Sequence, residues 1–499
     1  MSDSAENPDY QKLLALSHEL ALLQDTEALL NWDQETQMPR DGVAWRAEQL
    51  AWLGGEMHRR FTRDEVGGWI AACEDVGSEE GSDEEANVRE WRHAYDRATK
   101  LPSALVEEFE KTRAIAKSAW AEARKASDFS AFAPHLEKLI DLSRQRAENW
   151  GYEDCLYDAL IDDFERGAKS ANLKKLFGGL RPELVAIAGE AFEREPVDPA
   201  KLAGEYPEAK QQAFNREVAE AIGFDFDAGR IDTAVHPFCT GLGPRDTRLT
   251  TRYDESDFRS SLYGVLHEAG HGLYDQGLRG DCHGQPVGRA VSLGVHESQS
   301  RLWENHVGRS RAFWDRWLPR AAEYFPQLAG LTPEEMCRAC NQAERSFIRV
   351  EADEVTYDLH IMLRFEIESA VFAGDLAIAD IPGEWNQRFE DFLGLKVEKD
   401  SDGCLQDIHW SLGIFGYFPT YSLGNLNASH LYAAALAQQP EIESQLGEGD
   451  YSGLLGWMRE KIHQPGSRFL PTELVARAAG SPATPDAHLA HLRSRYLAS

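Results

Sequence analysis

No run of 18 apolar residues occurs anywhere in the 499-residue chain, which argues against a helix that spans a bilayer. Nor is there a basic segment leading into an apolar one at the start. Met1 to Tyr10 is polar and acidic, so export is not expected and the cytosol is the expected compartment. Basic residues are in short supply: 52 Lys plus Arg stand against 84 Asp plus Glu, a formal net charge of −32. Such a field repels phosphate backbones and anionic headgroups, so neither nucleic acid nor a membrane surface is an expected partner. A salty habitat is one source of that acid excess. Cysteines number seven, odd and scattered, which suits a reducing compartment better than a disulfide framework. Cys337 and Cys340 form a CxxC with no second pair at zinc-ribbon spacing, and read as two half-buried thiols.

Linkers rich in Pro, Gly or Ser are missing too, and no internal repeat is visible. What is present is a 42% hydrophobic content, ordinary for a globular chain and enough for a very large core or several smaller ones. Apolar residues recur at helical spacing over 10–32, 84–148, 171–222, 296–328, 333–374 and 467–498. The breaks at 38–42, 77–85 and 196–207 are short. The expected architecture is therefore mainly α: one catalytic unit over 1–499, with two helical lobes flanking a cleft.

One stretch differs. Between Arg230 and Tyr253 the β-formers Thr233, Val235, Phe238, Leu249, Thr250 and Thr251 surround Gly241, Gly243 and Pro244, which reads as a hairpin. A helix follows, starting from Asp254, Ser256 or Asp257, carrying Phe258, Leu262, Val265, Leu266, Ala269 and Leu273 on one face, and ending at Gly277 to Gly280.

Within that helix lies His267-Glu268-Ala269-Gly270-His271. Two histidines four apart are about 40° apart around a helix, so both imidazoles reach one point in space. That pair supplies two of the three protein ligands of a catalytic zinc ion, leaving a position for water, and Glu268 is placed to take the proton of that water. The third ligand is sought in Val295-His296-Glu297-Ser298, where Glu297 is preferred to His296. Glu297 stands 26 residues after His271, a separation that a loop and a returning helix can close. Its ordinary role would be a first-turn helix carboxylate. Spacing does not name the partners of the imidazoles' other nitrogens.

The sequence resembles the M32 metallocarboxypeptidases, the carboxypeptidase Taq family, over nearly its whole length. The resemblance rests on Asn31-Trp32-Asp33-Gln34-Glu35-Thr36, His236-Pro237-Phe238, Asp246-Thr247-Arg248-Leu249-Thr250, the paired-histidine helix, His296-Glu297-Ser298-Gln299, Ile348-Arg349-Val350-Glu351-Ala352-Asp353 and Gly403-Cys404-Leu405-Gln406-Asp407-Ile408-His409-Trp410. It implies a large helical zincin fold with a deep central groove and a small β-sheet beside the active site, like that of neurolysin and angiotensin-converting peptidases. It further implies a homodimer, removal of single residues from peptide C-termini, His267, His271 and Glu297 as metal ligands, and Glu268 as the catalytic carboxylate.

A carboxypeptidase must hold a free carboxylate, and in so acidic a chain that requires a localised cation. Arg349 is the leading choice because its guanidinium grips a carboxylate bidentately. Drawn on a continuous helix it shares a mixed face with Asp353, Thr356 and His360, and the plain structural alternative is an Arg349 to Asp353 ion pair. Arg248 is a second choice, its alternative an ion pair at a strand end. By analogy with related peptidases Tyr421 is expected to steady the oxyanion, with His409 and His236 nearby. The glycine-rich loop from Gly277 to Gly294 is expected to move over substrate. The expected cofactor is one Zn²⁺ per chain, with Co²⁺ as a substitute, and the substrates are peptides with a free C-terminus. A zinc endopeptidase or oligopeptidase would share every ligand, and a non-enzymatic metal-storing scaffold is the reading from another class.

Overall fold

The computed structural model describes residues 7–497; most of the polar stretch from Met1 lies outside them. Helices dominate, as the apolar spacing predicts. The first, Pro8–Thr36, starts where the Asn7 side chain accepts hydrogen bonds from the backbone N–H groups of Asp9 and Tyr10. It buries Tyr10, Leu13, Leu16 and Leu20. Longer stretches read as continuous are broken by tight turns. The 84–148 pattern is three helices, Asp83–Thr99, Ser103–Ala126 and Phe129–Trp150, and 467–498 is two, Pro471–Ala479 and Pro485–Tyr496. Among the described residues no helix is long and apolar enough to cross a membrane.

The chain forms two compact units, each assembled from three segments. The first comprises Met1–Ala98, Val197–Cys340 and Asn427–Ala483; the second comprises Thr99–Pro196, Asn341–Leu426 and Thr484–Ser499. In the first, Phe214, Leu249, Phe258, Leu262, Leu266, Leu273, Trp303 and Trp314 share one core. In the second, Phe132, Leu136, Phe177, Leu359, Leu363, Trp385 and Phe418 share another.

The small sheet belongs to the first unit. Strands β1 (Gly229–Thr233), β2 (Cys239–Gly241) and β3 (Thr247–Thr251) lie in the order β1-β3-β2. The hairpin expected around Gly241 to Pro244 joins β2 to β3, which are antiparallel with Thr240 opposite Arg248. Its turn closes through Leu242 N–H to the Asp246 carbonyl at 2.8 Å. The β1 strand pairs with the far side of β3 in parallel, a neighbour that local alternation does not reveal. The β3 strand packs on the helix Phe258–Gly277 because Gly272 has no side chain: a Cβ there would lie 2.9 Å from Leu249 Cδ2 and 2.8 Å from the Phe224 ring.

Candidate active site

The helix Phe258–Gly277 starts at Asp257, whose carboxylate accepts from Arg259 N at 3.0 Å. Its apolar residues lock it into the first core, and that fixes the direction of the two histidines one turn apart. The rings of His267 and His271 have centroids 5.0 Å apart. Gly270 faces the helix Leu293–Arg301 so closely that a Cβ would sit 2.6 Å from the Gln299 carbonyl oxygen. That approach brings Glu297 to the pair. Glu297 Oε2 is 3.7 Å from His267 Nε2 and 3.5 Å from His271 Nε2, and one donor atom from each residue lies within 4.8 Å of the other two. Glu297 lies beyond the first helical turn, which holds no acidic residue, so the helix dipole is not what keeps it there.

Both other imidazole nitrogens are engaged. His267 Nδ1 donates to Glu304 Oε2 at 2.9 Å. His271 Nδ1 meets His296 Nδ1 at 2.5 Å, and His296 Nε2 is 3.2 Å from Asp275 Oδ1. Glu297 Oε1 is taken by Arg301 Nε at 2.7 Å, leaving Oε2 toward the imidazoles with Ser300 Oγ 3.2 Å away. Two Nε2 atoms and one carboxylate oxygen thus converge, the donor set that a divalent ion with an open position takes when it displaces the imidazole proton.

Electrostatics point the same way. Burial opposes a charged His267, yet Glu297 and Glu304 push it up to about 9, while burial and His296 press His271 down to about 4. Burial alone would raise the Glu297 carboxyl, but Arg301 and the imidazoles hold it well below its ordinary value. Glu304, likewise opposed by burial, falls to about 2 through His267 and Arg309. Ionised carboxylates that keep a proton on a buried imidazole make a pocket that takes a cation. The residues present fit a divalent metal. Glu268, 6% exposed beside the pair, is pushed up to about 7, chiefly by burial.

The second unit gathers a different group. The pattern read as one helix over 333–374 is interrupted: Pro333–Cys340 ends, and the next helix, Glu354–Ala373, starts at Asp353, whose carboxylate accepts from Val355 N and Thr356 N. Aspartate is among the best caps, and capping here outweighs continuation of the apolar period. Arg349 therefore sits in a single 3₁₀ turn, Arg349–Glu351, and has neither the helical face nor the Asp353 partner expected of it. Its partner is Asp407, whose Oδ1 accepts from Arg349 Nε at 3.1 Å and Nη2 at 2.9 Å; Nη1 donates to Tyr357 Oη at 2.8 Å. The guanidinium carbon lies 5.1 Å from the Tyr421 ring centroid. His409 Nδ1 is 3.9 Å from Asp407 Oδ1, and burial pushes His409 down to about 4. Arg349, His409 and Tyr421 are thus brought together.

Two other expected residues are placed differently. Arg248 is spent: Nε and Nη2 each donate to Asp246 at 3.0 Å, and the guanidinium lies over the Trp32 ring at 4.3 Å, the strand-end ion pair weighed above. His236 stands exposed on the bend between β1 and β2. The sequence reading missed Glu304, Asp275, Arg364 and the pairing role of Asp407. Asp275 had a signal, since it follows His271 by one further helical turn. Glu304 had none, because it lies in a π-helical turn, Leu302–Gly308, that shifts the side-chain phase.

A family model described as carboxypeptidase Taq (M32) metallopeptidase matches residues 12–496. The chain is 42% identical to thermostable carboxypeptidase 1 of Thermus thermophilus across 98% of each chain, and 37% identical to carboxypeptidase 1 of Bacillus subtilis across 91% of each. The solved M32 carboxypeptidase of Deinococcus radiodurans R1 superposes with a TM-score of 0.95 at 41% identity, covering 98% of both chains. With a histidine pair and a glutamate arranged for a divalent ion, and a family model running almost end to end, this chain belongs to the carboxypeptidase Taq (M32) metallopeptidases.

Proposed function

We propose that this metallocarboxypeptidase holds zinc through His267, His271 and Glu297 and releases single amino acids from peptides with a free C-terminus, with broad side-chain tolerance. The observation that carries the exopeptidase reading is the state of Arg349. A guanidinium has five N–H donors. Asp407 takes two along one edge and Tyr357 takes a third. One N–H on each terminal nitrogen is left, the end-on fork that grips a carboxylate.

A divalent ion held by His267, His271 and Glu297 would polarise the scissile carbonyl and make a water acidic enough to lose its proton near neutrality. Glu268 accepts that proton and passes it to the leaving amine, and its burial keeps its basicity matched to the task. Arg349 binds the terminal carboxylate, and the Tyr421 hydroxyl donates to the developing oxyanion. A cytosolic homodimer is part of the same reading, and all seven cysteines are free thiols, as a reducing compartment requires.

The test uses one N-blocked peptide in two forms, free acid and C-terminal amide, incubated with the metal-loaded protein, and the products are weighed. Loss of one residue from the acid, with the amide intact and Glu268→Gln inactive, is the expected result. Internal cleavage of the amide would replace this reading with that of an endopeptidase.

A further inference from the structure

Two guanidiniums in the second unit share one carboxylate. Asp407 Oδ1 faces Arg349, while Oδ2 accepts from Arg364 Nε at 2.6 Å with Arg364 Nη2 at 2.5 Å. Arg364 Nη1 donates to the His360 carbonyl at 2.6 Å, and the guanidinium lies over the Trp385 ring at 4.7 Å. Its side chain is 0% exposed, so it cannot itself touch a substrate. A fully buried cation is costly, and an apolar side chain of similar volume commonly serves stability as well or better. Packing alone does not account for an arginine here.

The charge balance does. Asp407 carries one negative charge against two positive ones. The neighbouring imidazoles add nothing: burial drives His360 well below its ordinary value and His409 to about 4, so both are neutral. Glu368, one turn beyond Arg364, accepts from Tyr157, Trp410 and the Gly416 backbone N–H, and with its carboxyl pushed up to about 7 by burial it does not supply a full countercharge at neutral pH. The cluster is left with about one positive charge inside a chain of net charge −32. Without Arg364, Asp407 would neutralise Arg349 one to one, and its Oδ2 would be buried without a partner.

We propose that Arg364 is a positioning residue of the terminal-carboxylate site: it compensates Asp407 and holds it along one edge of Arg349, so that the outer fork of Arg349 stays cationic and fixed in direction. This rests on the reading of Arg349 as the carboxylate-binding residue. Geometry supports the second half of the claim. Asp407 places a single oxygen against both Nε and Nη2 of Arg349, and a carboxylate released from Arg364 could swing its other oxygen toward the outer fork that a peptide terminus needs.

The experiment measures steady-state kinetics of the metal-loaded protein on an N-blocked dipeptide with a free C-terminus, alongside thermal unfolding. Arg364→Met is expected to raise KM about tenfold or more, with kcat changed much less, because a uniform binding interaction is weakened. Adding Asp407→Asn to Arg364→Met removes the surplus negative charge and is expected to lower KM again by severalfold, a rescue that a packing role does not predict. Arg364→Lys keeps the charge but loses the fork, and is expected to give an intermediate KM even where Arg364→Met fails to fold. An unfolding shift with unchanged KM in Arg364→Lys or Arg364→Met, or a double variant no better than Arg364→Met, overturns the proposal. Arg349→Met separates the two claims: if it leaves KM unchanged, the carboxylate reading itself falls. If it raises KM while the Arg364 variants do not, only the role of Arg364 falls.

Discussion

His271 and His296 meet nitrogen to nitrogen, Nδ1 to Nδ1, so the proton position on one ring dictates that on the other and on the link to Asp275. Glu297 Oε2 lies 3.5 Å from His271 Nε2, and once that nitrogen binds a metal ion the His271 proton is on Nδ1. His296 Nδ1 must then accept, which puts the His296 proton on Nε2, aimed at Asp275 Oδ1. His296→Ala leaves the His271 donor without its acceptor, and Asp275→Asn weakens the hold on the His296 tautomer. Both are expected to lower metal affinity by about tenfold to a hundredfold, read by competition with a chelator. Affinities equal to wild type would show that the relay does not orient His271.

The other imidazole is backed by charge instead. Glu304 accepts from His267 with one oxygen and from Arg309 Nη2 with the other at 2.9 Å, so an ionised carboxylate stands directly behind the ring. A full negative charge directly behind the ring raises ligand basicity more than an imidazole partner does. Glu304→Gln is therefore expected to cost more metal affinity than Asp275→Asn in the same competition assay. The reverse order would mean that the length of the relay, rather than the charge behind the ring, governs affinity.

Glu368 links stability to pH. Burial pushes its carboxyl from an ordinary 4.5 up to about 7, against the three donors that favour ionisation. Between those values the folded chain retains a proton that the unfolded chain has released, so stability is fully present below pH 4.5 and is lost as pH rises through 7. The difference is on the order of 3 kcal/mol. Glu368→Gln cannot titrate. The drop in unfolding temperature between pH 5 and pH 8 is expected to be smaller in this variant than in wild type, and equal drops would show that Glu368 is ionised throughout.

How far residue spacing reaches is visible in these same groups. The His267 and His271 pair was legible because both imidazoles belong to one helix, where a fixed rotation per residue turns sequence distance into geometry. Glu297 was legible as the start of a neighbouring helical pattern. Arg349 was legible in kind but not in setting, since the apolar period runs through 341–353 while Asp353 caps a new helix there. Its carboxylate, Asp407, lies 58 residues away, and Arg364 meets that carboxylate from a third segment. Such pairings are set by tertiary packing and leave no local trace. The parallel pairing of β1 with β3 was missed for a related reason: alternation marks a strand but not the direction of its neighbour.

Gly270 gives the sharpest test of how packing sets the proposed metal ligands. Alanine favours a helix over glycine by about 1 kcal/mol. Against that, its Cβ would lie 2.6 Å from both the Gln299 carbonyl oxygen and Ser300 Cα, backbone atoms that cannot rotate away. Overpacking of a fixed contact costs about 1–3 kcal/mol, so the clash outweighs the propensity gain. Relief comes only from separating the two helices, which carries Glu297 away from the imidazoles, and metal ligands tolerate only about 0.2 Å. Gly270→Ala is expected to lower both the unfolding temperature and the metal affinity. Gly264→Ala on the same helix, whose nearest neighbour would be the Thr251 hydroxyl at 3.2 Å, is expected to change metal affinity little. Equal metal affinities in Gly270→Ala and wild type would mean that Glu297 reaches the pair without that close helix contact.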